Sequence, residues 1–172
     1  MLHIYTQYSD IPPQAWDTLA ERSAWTTWFQ TRAAYDFYSR MPEEMQPFVF
    51  GAEENGILVG IVAGYITRER NAVKQFFTRR AIIPGGALLD ERISEKALSA
   101  LLAAIRGNLA HKSIYIEQRN LHDYSRWKNV FTTQGFDYTP HLNFQVDCTD
   151  PAAVWGRMKS NRRRQIRKGF AH

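Results

Sequence analysis

Phe48-Val49-Phe50-Gly51-Ala52-Glu53-Glu54-Asn55-Gly56-Ile57-Leu58-Val59-Gly60-Ile61-Val62-Ala63-Gly64-Tyr65-Ile66-Thr67-Arg68 contains two apolar runs around an Asn-Gly pair. Asparagine and glycine both tolerate the left-handed backbone that a two-residue hairpin turn needs. The stretch therefore predicts a strand from Phe48 to Glu53, a turn at Glu54-Asn55-Gly56, and a second strand from Ile57 to Arg68. Both runs are strand length, and glycine interrupts the second, so neither reads as a bilayer span, which takes about 20 apolar residues.

Upstream, Leu2 to Thr6 alternates and predicts a short first strand. Ser9-Asp10 and Ile11-Pro12-Pro13 open a helix to about Glu21, since proline is tolerated in a first turn; Trp16, Leu19 and Ala20 share one face. A second helix is expected from Thr31 to Arg40, with Ala34, Phe37 and Tyr38 inward. Downstream, Val73 to Arg80 predicts a further strand running into Ile82-Ile83-Pro84-Gly85-Gly86-Ala87-Leu88. There the glycines serve either a turn or a close backbone approach. Ser94 to Leu109 repeats Leu98, Leu101, Leu102 and Ile105 at helical spacing, and Ser113 to Gln118 alternates as a strand with Ile114 and Ile116 on one side.

Asp123 is expected to cap a helix to about Thr133, closed by Gly135. Phe136 to Asp147 predicts one or two strands, and Asp150-Pro151 opens a capped helix. A last helix should start near Asn161 as its cap. Strands mixed with helices in this order predict an α/β protein with helices packed on a mixed sheet.

Composition agrees: 172 residues, 44% apolar and 13% aromatic, suit one globular domain. The single cysteine, Cys148, excludes an internal disulfide. Without a secretory pattern at the N-terminus, the expected location is cytoplasmic. His3, His111, His122, His141 and His172 show no metal-ligand spacing. No GxxxxGK[ST] or GxGxxG loop is present. Glu117-Gln118-Arg119 reads as a salt-bridged strand edge.

The net charge of +5 is not spread along the chain. Arg157 to His172 carries seven Lys or Arg and no acid, leaving 15 basic against 17 acidic residues elsewhere. On a helix, Arg163 and Arg167 lie four apart, as do Arg164 and Lys168, so four cations form one broad face. Guanidinium groups bind phosphate oxygens bidentately. Charge alone leaves open a solvated face, a nucleic-acid contact or a phosphorylated substrate.

Three segments together resemble the Fem-type peptidoglycan aminoacyltransferases (FemA, FemB and FemX), which are built on tandem acetyltransferase-like (GNAT) domains. Trp28-Phe29-Gln30-Thr31 is similar to the family's "FQT/FQS" helix opening, and Ile83-Pro84-Gly85-Gly86-Ala87-Leu88-Leu89-Asp90 to its "I-P-x-G-P-x-x-D". Lys159 to Gly169 is similar to its "K-x-x-x-R-R-x-I-R-K-A" helix. Ala87 stands where the family has proline, and Gly169 where it has alanine.

The resemblance implies a GNAT-like, mostly antiparallel sheet flanked by helices, with residues 1–150 as a first domain and 151–172 as a helical connection toward a second. It implies a cytoplasmic enzyme that moves an amino acid from aminoacyl-tRNA to a UDP-linked or lipid-linked muropeptide precursor, with peripheral membrane contact in the lipid-linked case. It implies no cofactor. Carried over by position, the arginine of the family's "R-x-x-I" motif is Arg163, with Arg164, Arg167, Lys168 and Arg40 as further candidates for holding the diphosphate; no catalytic residue carries over. A CoA-dependent acyltransferase is the enzymatic rival, although the "[QR]-x-x-G-x-[GA]" loop is absent. A non-catalytic module binding RNA or an anionic surface is the third reading.

Overall fold

A computed structural model describes residues 1–69, 71, 75, 77–144 and 146–170. The chain divides into two compact units, Met1–Thr139 and Pro140–His172.

The hairpin is the centre of the first unit. Strands β2 (Met45–Glu54) and β3 (Ile57–Thr67) pair antiparallel along their whole length, and the turn places Asn55 at φ 52° and Gly56 at φ 80°. Strand β1 (Leu2–Tyr5) adds antiparallel to β2. On the other side β4 (Arg80–Gly85) pairs antiparallel with β3, and β6 (Tyr115–Asn120) pairs parallel with β4, giving the order β1-β2-β3-β4-β6. Strand β5 (Leu88–Leu89) continues the line of β4 and returns to β3. From the Tyr65–Ile82 pair to the Ile61–Leu88 pair the chain advances six residues against four on β3. The surplus is absorbed at Gly85 and Gly86, at φ 78° and 89°, a bulge that only glycine enters without strain.

Alternation sends β2 and β3 residues to two different layers. Phe50, Val62 and Ile66 join Ala81 and Ile83 under helix α3 (Glu95–Leu109) and helix α4 (Lys128–Thr133). Val49, Ile61 and Ala63 meet Ile11 and the buried Trp16 and Leu19 of helix α1 (Pro13–Arg22). Helix α2 (Arg32–Ser39) lies on the same side, with Ala34 and Tyr38 buried and the Thr31 hydroxyl accepting from the Ala34 N–H. The segment from β4 through α3 to β6 is a crossover between parallel strands.

The second unit holds helix α5 (Pro151–Arg157), whose N-terminus is capped by the Asp150 carboxylate accepting from Ala152 and Ala153 N–H, and helix α6 (Ser160–Phe170).

Several expectations change. Of the strand expected from Val73 to Arg80, Val73 lies outside the described residues, while Gln75, Phe77 and Thr78 are helical and the strand begins at Arg80. Phe136 to Asp147 forms no strand among the described residues: Leu142, Phe144 and Val146 alternate but are 88%, 92% and 70% exposed. Alternation marks a face, and a strand also needs a neighbour for its backbone groups. Phe37 points outward, 46% exposed. Asn161 does not cap α6: the Lys159 carbonyl already accepts from the Arg162 and Arg163 N–H groups, so Asn161 sits inside the first turn.

Candidate functional site

In open sheets with parallel strands, ligands gather outside the carboxyl ends of those strands, and anions gather at the N-terminus of the following helix. Here the relevant groups are Gly85-Gly86-Ala87 after β4, Asn120 at the end of β6, and Ser94 at the start of α3.

All three backbone carbonyls of the bulge are engaged from within the chain. Gln30 Nε2 donates to the Gly85 and Gly86 carbonyls at 2.8 and 3.1 Å, and the Tyr124 hydroxyl donates to the Ala87 carbonyl at 2.6 Å. Gln30 is itself fixed by a capping box, its Oε1 accepting from the Thr27 N–H at 2.7 Å. Tyr124 is buried, and burial pushes its phenol far above the ordinary range. Trp25 and Trp127 pack against it with rings tilted at 38° and 45°, their centres 6.4 and 6.3 Å from its own. A Cβ on Gly86 would come within 2.7 Å of both the Tyr124 hydroxyl and Asn120 Oδ1. The crevice is filled with side chains.

The N-terminus of α3 is likewise occupied. Ser94 caps it by accepting from the Ala97 N–H, and Ser94 donates its own N–H and hydroxyl to the Glu54 carboxylate at 3.1 and 2.6 Å. One residue-turn earlier the buried Asp90, 4% exposed, receives Arg22 at 2.6 Å and Arg92 at 3.1 Å. Burial pushes the Asp90 carboxyl up, but hydrogen bonds from Arg92 and the charges of Arg22 and Arg92 outweigh it and hold the group below the usual range. Glu95 adds a third carboxylate in the first turn.

The basic candidates lie elsewhere. Arg163, Arg164, Arg167 and Lys168 are all on α6 in the second unit, which brings them onto neighbouring turns of one helix. Arg163 is half-buried and the other three are exposed. The Arg167 guanidinium lies 5.5 Å from the centre of the Trp155 ring. Among the described residues, no ion pair involves any of the four. Arg40 belongs to the first unit, exposed just past the end of α2, where its N–H closes that helix on the Asp36 and Phe37 carbonyls. Glu117 and Arg119 do pair, at 2.8 Å, as the edge reading expected.

Sequence reading missed the groups that fill the crevice. Thr27-x-x-Gln30 was visible as a capping pattern. Nothing local to Glu54 or Tyr124 announces a partner 40 or 37 residues away.

No family model and no curated protein sequence matches the chain. Solved structures do. Glucosamine-6-phosphate N-acetyltransferase from Arabidopsis thaliana superposes with a TM-score of 0.57 at 10% identity, covering 85% of this chain and 98% of that one. The aminoglycoside N-acetyltransferase AAC(6')-Iy, in complex with CoA, gives 0.55 at 14% identity over 84% of this chain and 98% of the other. The chain has the GNAT acetyltransferase fold.

At these identities the likeness concerns the fold alone, and the Fem-type family is a finer assignment than it reaches. In this chain Gln30 and Tyr124 hold the carbonyls after β4, and at the start of α3 the carboxylates of Glu54, Asp90 and Glu95 stand with the guanidinium groups of Arg22 and Arg92. Among the described residues, no group of His, Cys, Asp and Glu could hold a metal ion, and no helix is long and apolar enough to cross a membrane.

Proposed function

We propose that this chain is an acyl-transfer domain that works on a diphosphate-linked acceptor and takes its acyl group from aminoacyl-tRNA, as the Fem-type resemblance implies. The observation that carries the reading is helix α6, with five cations, Arg163, Arg164, Arg167 and Lys168 among them, and no acidic partner for those four among the described residues. Like charges four apart repel by a few tenths of a kcal/mol per pair, and a bound diphosphate offsets that repulsion with bidentate contacts. Arg163 is the first candidate for those contacts, with Arg164, Arg167 and Lys168 beside it.

In the reaction, the amine of a muropeptide stem attacks the ester carbon of the aminoacyl-tRNA. The new C–N bond forms, the C–O bond to the ribose breaks, and the amine proton ends on the departing ribose oxygen. The protein's part is positioning and neutralising charge. With a lipid-linked muropeptide, the same helix would work at a membrane surface.

A CoA-dependent acyltransferase is the second reading, favoured by the solved structures of acetyltransferases that share the fold. Calorimetric titration of the chain with a UDP-linked muropeptide, acetyl-CoA and tRNA separates the readings. The expected result is muropeptide binding that Arg163→Ala weakens while the melting temperature stays within a degree or two. Acetyl-CoA binding would overturn the reading in favour of the second. Binding of tRNA alone, falling steeply with salt, would reduce the chain to an RNA-binding module.

A further inference from the structure

Strand β6 closes the sheet order β1-β2-β3-β4-β6, and among the described residues no further strand lies beyond it. One of its edges is bonded to β4, and the direction of its backbone groups follows from a proline. In a parallel pair, a residue of one strand bonds to the two residues that flank its partner. For the Ile83–Gln118 pair, either Gln118 bonds to Ile82 and Pro84, or Ile83 bonds to Glu117 and Arg119. Pro84 has no N–H to donate. The ladder therefore runs through Ile83, and the N–H and C=O of Gln118 point away from β4. Alternation turns those of Ile116 the same way.

The side chains along this edge alternate too. Tyr115, Glu117 and Arg119 share one face. Glu117 and Arg119 pair on it at 2.8 Å, with side chains 33% and 53% exposed. Tyr115 is 48% exposed and Leu121, just past the strand, 36%. Sheet edges are commonly blunted with proline, lysine or a bulge. Strand β6 has neither proline nor lysine, its register to β4 is continuous, and its two charges are of opposite sign.

We propose that β6 pairs antiparallel with β6 of a second copy of this chain, about a twofold axis at Gln118, joining two sheets into one. In that register each Gln118 faces its copy, and the two exchange N–H and C=O bonds. Glu117 then stands opposite Arg119 of the second copy, and symmetry makes the contact twice. Each carboxylate lies between two guanidinium groups, one from each copy. Tyr115 comes opposite Leu121, again twice, covering apolar surface that one copy leaves exposed. Opposite charges facing across strands stabilise a pair, and like charges destabilise it. An axis at Glu117 or at Arg119 would set like charges face to face, so the charges select the register as well as the partner. All of these residues belong to the first unit, and the association does not depend on what α6 binds.

The test is sedimentation equilibrium of the full chain from micromolar to near-millimolar concentration. A single strand edge is a small interface, and a reversible dimer with a dissociation constant on the order of 0.1 mM is expected. Glu117→Arg and Arg119→Glu should each weaken it about tenfold or more, because each sets like charges opposite one another twice. An equimolar mixture of the two variants should recover the dimer. In a mixed pair the arginines of the first variant face the carboxylates of the second at both positions. Melting temperatures are measured alongside, and recovery on mixing reports the contact itself, since the mixture contains the same two variants. A chain that stays monomeric throughout overturns the proposal, as does a dimer that both substitutions leave unchanged, or a mixture that stays monomeric. Assembly beyond two copies also overturns it, since a twofold contact closes on itself.

Discussion

Asp90 shows how much of this fold depends on single buried groups. Its carboxylate holds Arg22 and Arg92 and accepts the Arg92 N–H, while its own N–H donates to the Val59 carbonyl. Removing one partner of a buried pair leaves the rest uncompensated, at about 3–5 kcal/mol when both charges are enclosed. Arg22 is one-third exposed and Arg92 more so, and water therefore recovers part of that; Asp90→Ala is expected to cost roughly 2–3 kcal/mol by urea denaturation. The pH dependence follows from the depressed carboxyl. Its stabilisation is complete above the unfolded value of about 4 and is lost as pH falls through the lower folded value. Acid titration of stability should be flatter between those two values in Asp90→Asn.

Tyr38 behaves oppositely. Burial pushes its phenol up to about 12, and its hydroxyl has no partner. Removing an unsatisfied buried hydroxyl while keeping the ring should raise stability, so Tyr38→Phe is expected to gain about 1 kcal/mol. A loss of that size would mean the hydroxyl is satisfied by water in solution.

Among elements, those announced by local chemistry were legible in sequence. The β2–β3 hairpin follows from Asn55-Gly56, and α3 from Ser94 with its leucine stripe. Elements that depend on distant partners were not. The glycine pair after Pro84 could be read as punctuation, but its role as a bulge plugged by Gln30 and Tyr124 requires the tertiary fold. Helix α6 was legible as a basic helix, whereas the contact of Arg167 with Trp155 was not, since it crosses from one helix to another. Two substitutions check the crevice as an element. Ser94→Ala removes a cap and one of the two hydrogen bonds to Glu54, and should cost about 1–2 kcal/mol. Gly86→Ala introduces both a left-handed strain and contacts at 2.7 Å with Asn120 and Tyr124. It should exceed the Ser94→Ala loss in the same denaturation series, and an equal or smaller loss would mean that the bulge relaxes freely.

At the scale of the whole molecule, charge and core are divided between the two units. Both apolar clusters draw only on residues up to Phe136, so the first unit contains all of the buried core described here. Residues 1–139 hold 15 basic and 15 acidic side chains, while residues 140–172 hold seven basic and two acidic. The net charge of +5 is therefore that of the second unit. A local excess of one sign governs association with polyanions, and its effect is screened over about 10 Å at ordinary ionic strength. A chain ending at Thr139 is accordingly expected to unfold cooperatively with a denaturant slope close to that of the first unit's share of the full chain. It should also lose the retention on a cation exchanger at neutral pH that the full chain shows. Retention by residues 1–139 would place the working cations in the first unit, with Arg40, Arg68 and Arg80 as the ones to examine, and would remove helix α6 from the anion-binding role. Loss of cooperative unfolding on the same truncation would mean instead that the second unit is required for the core to form.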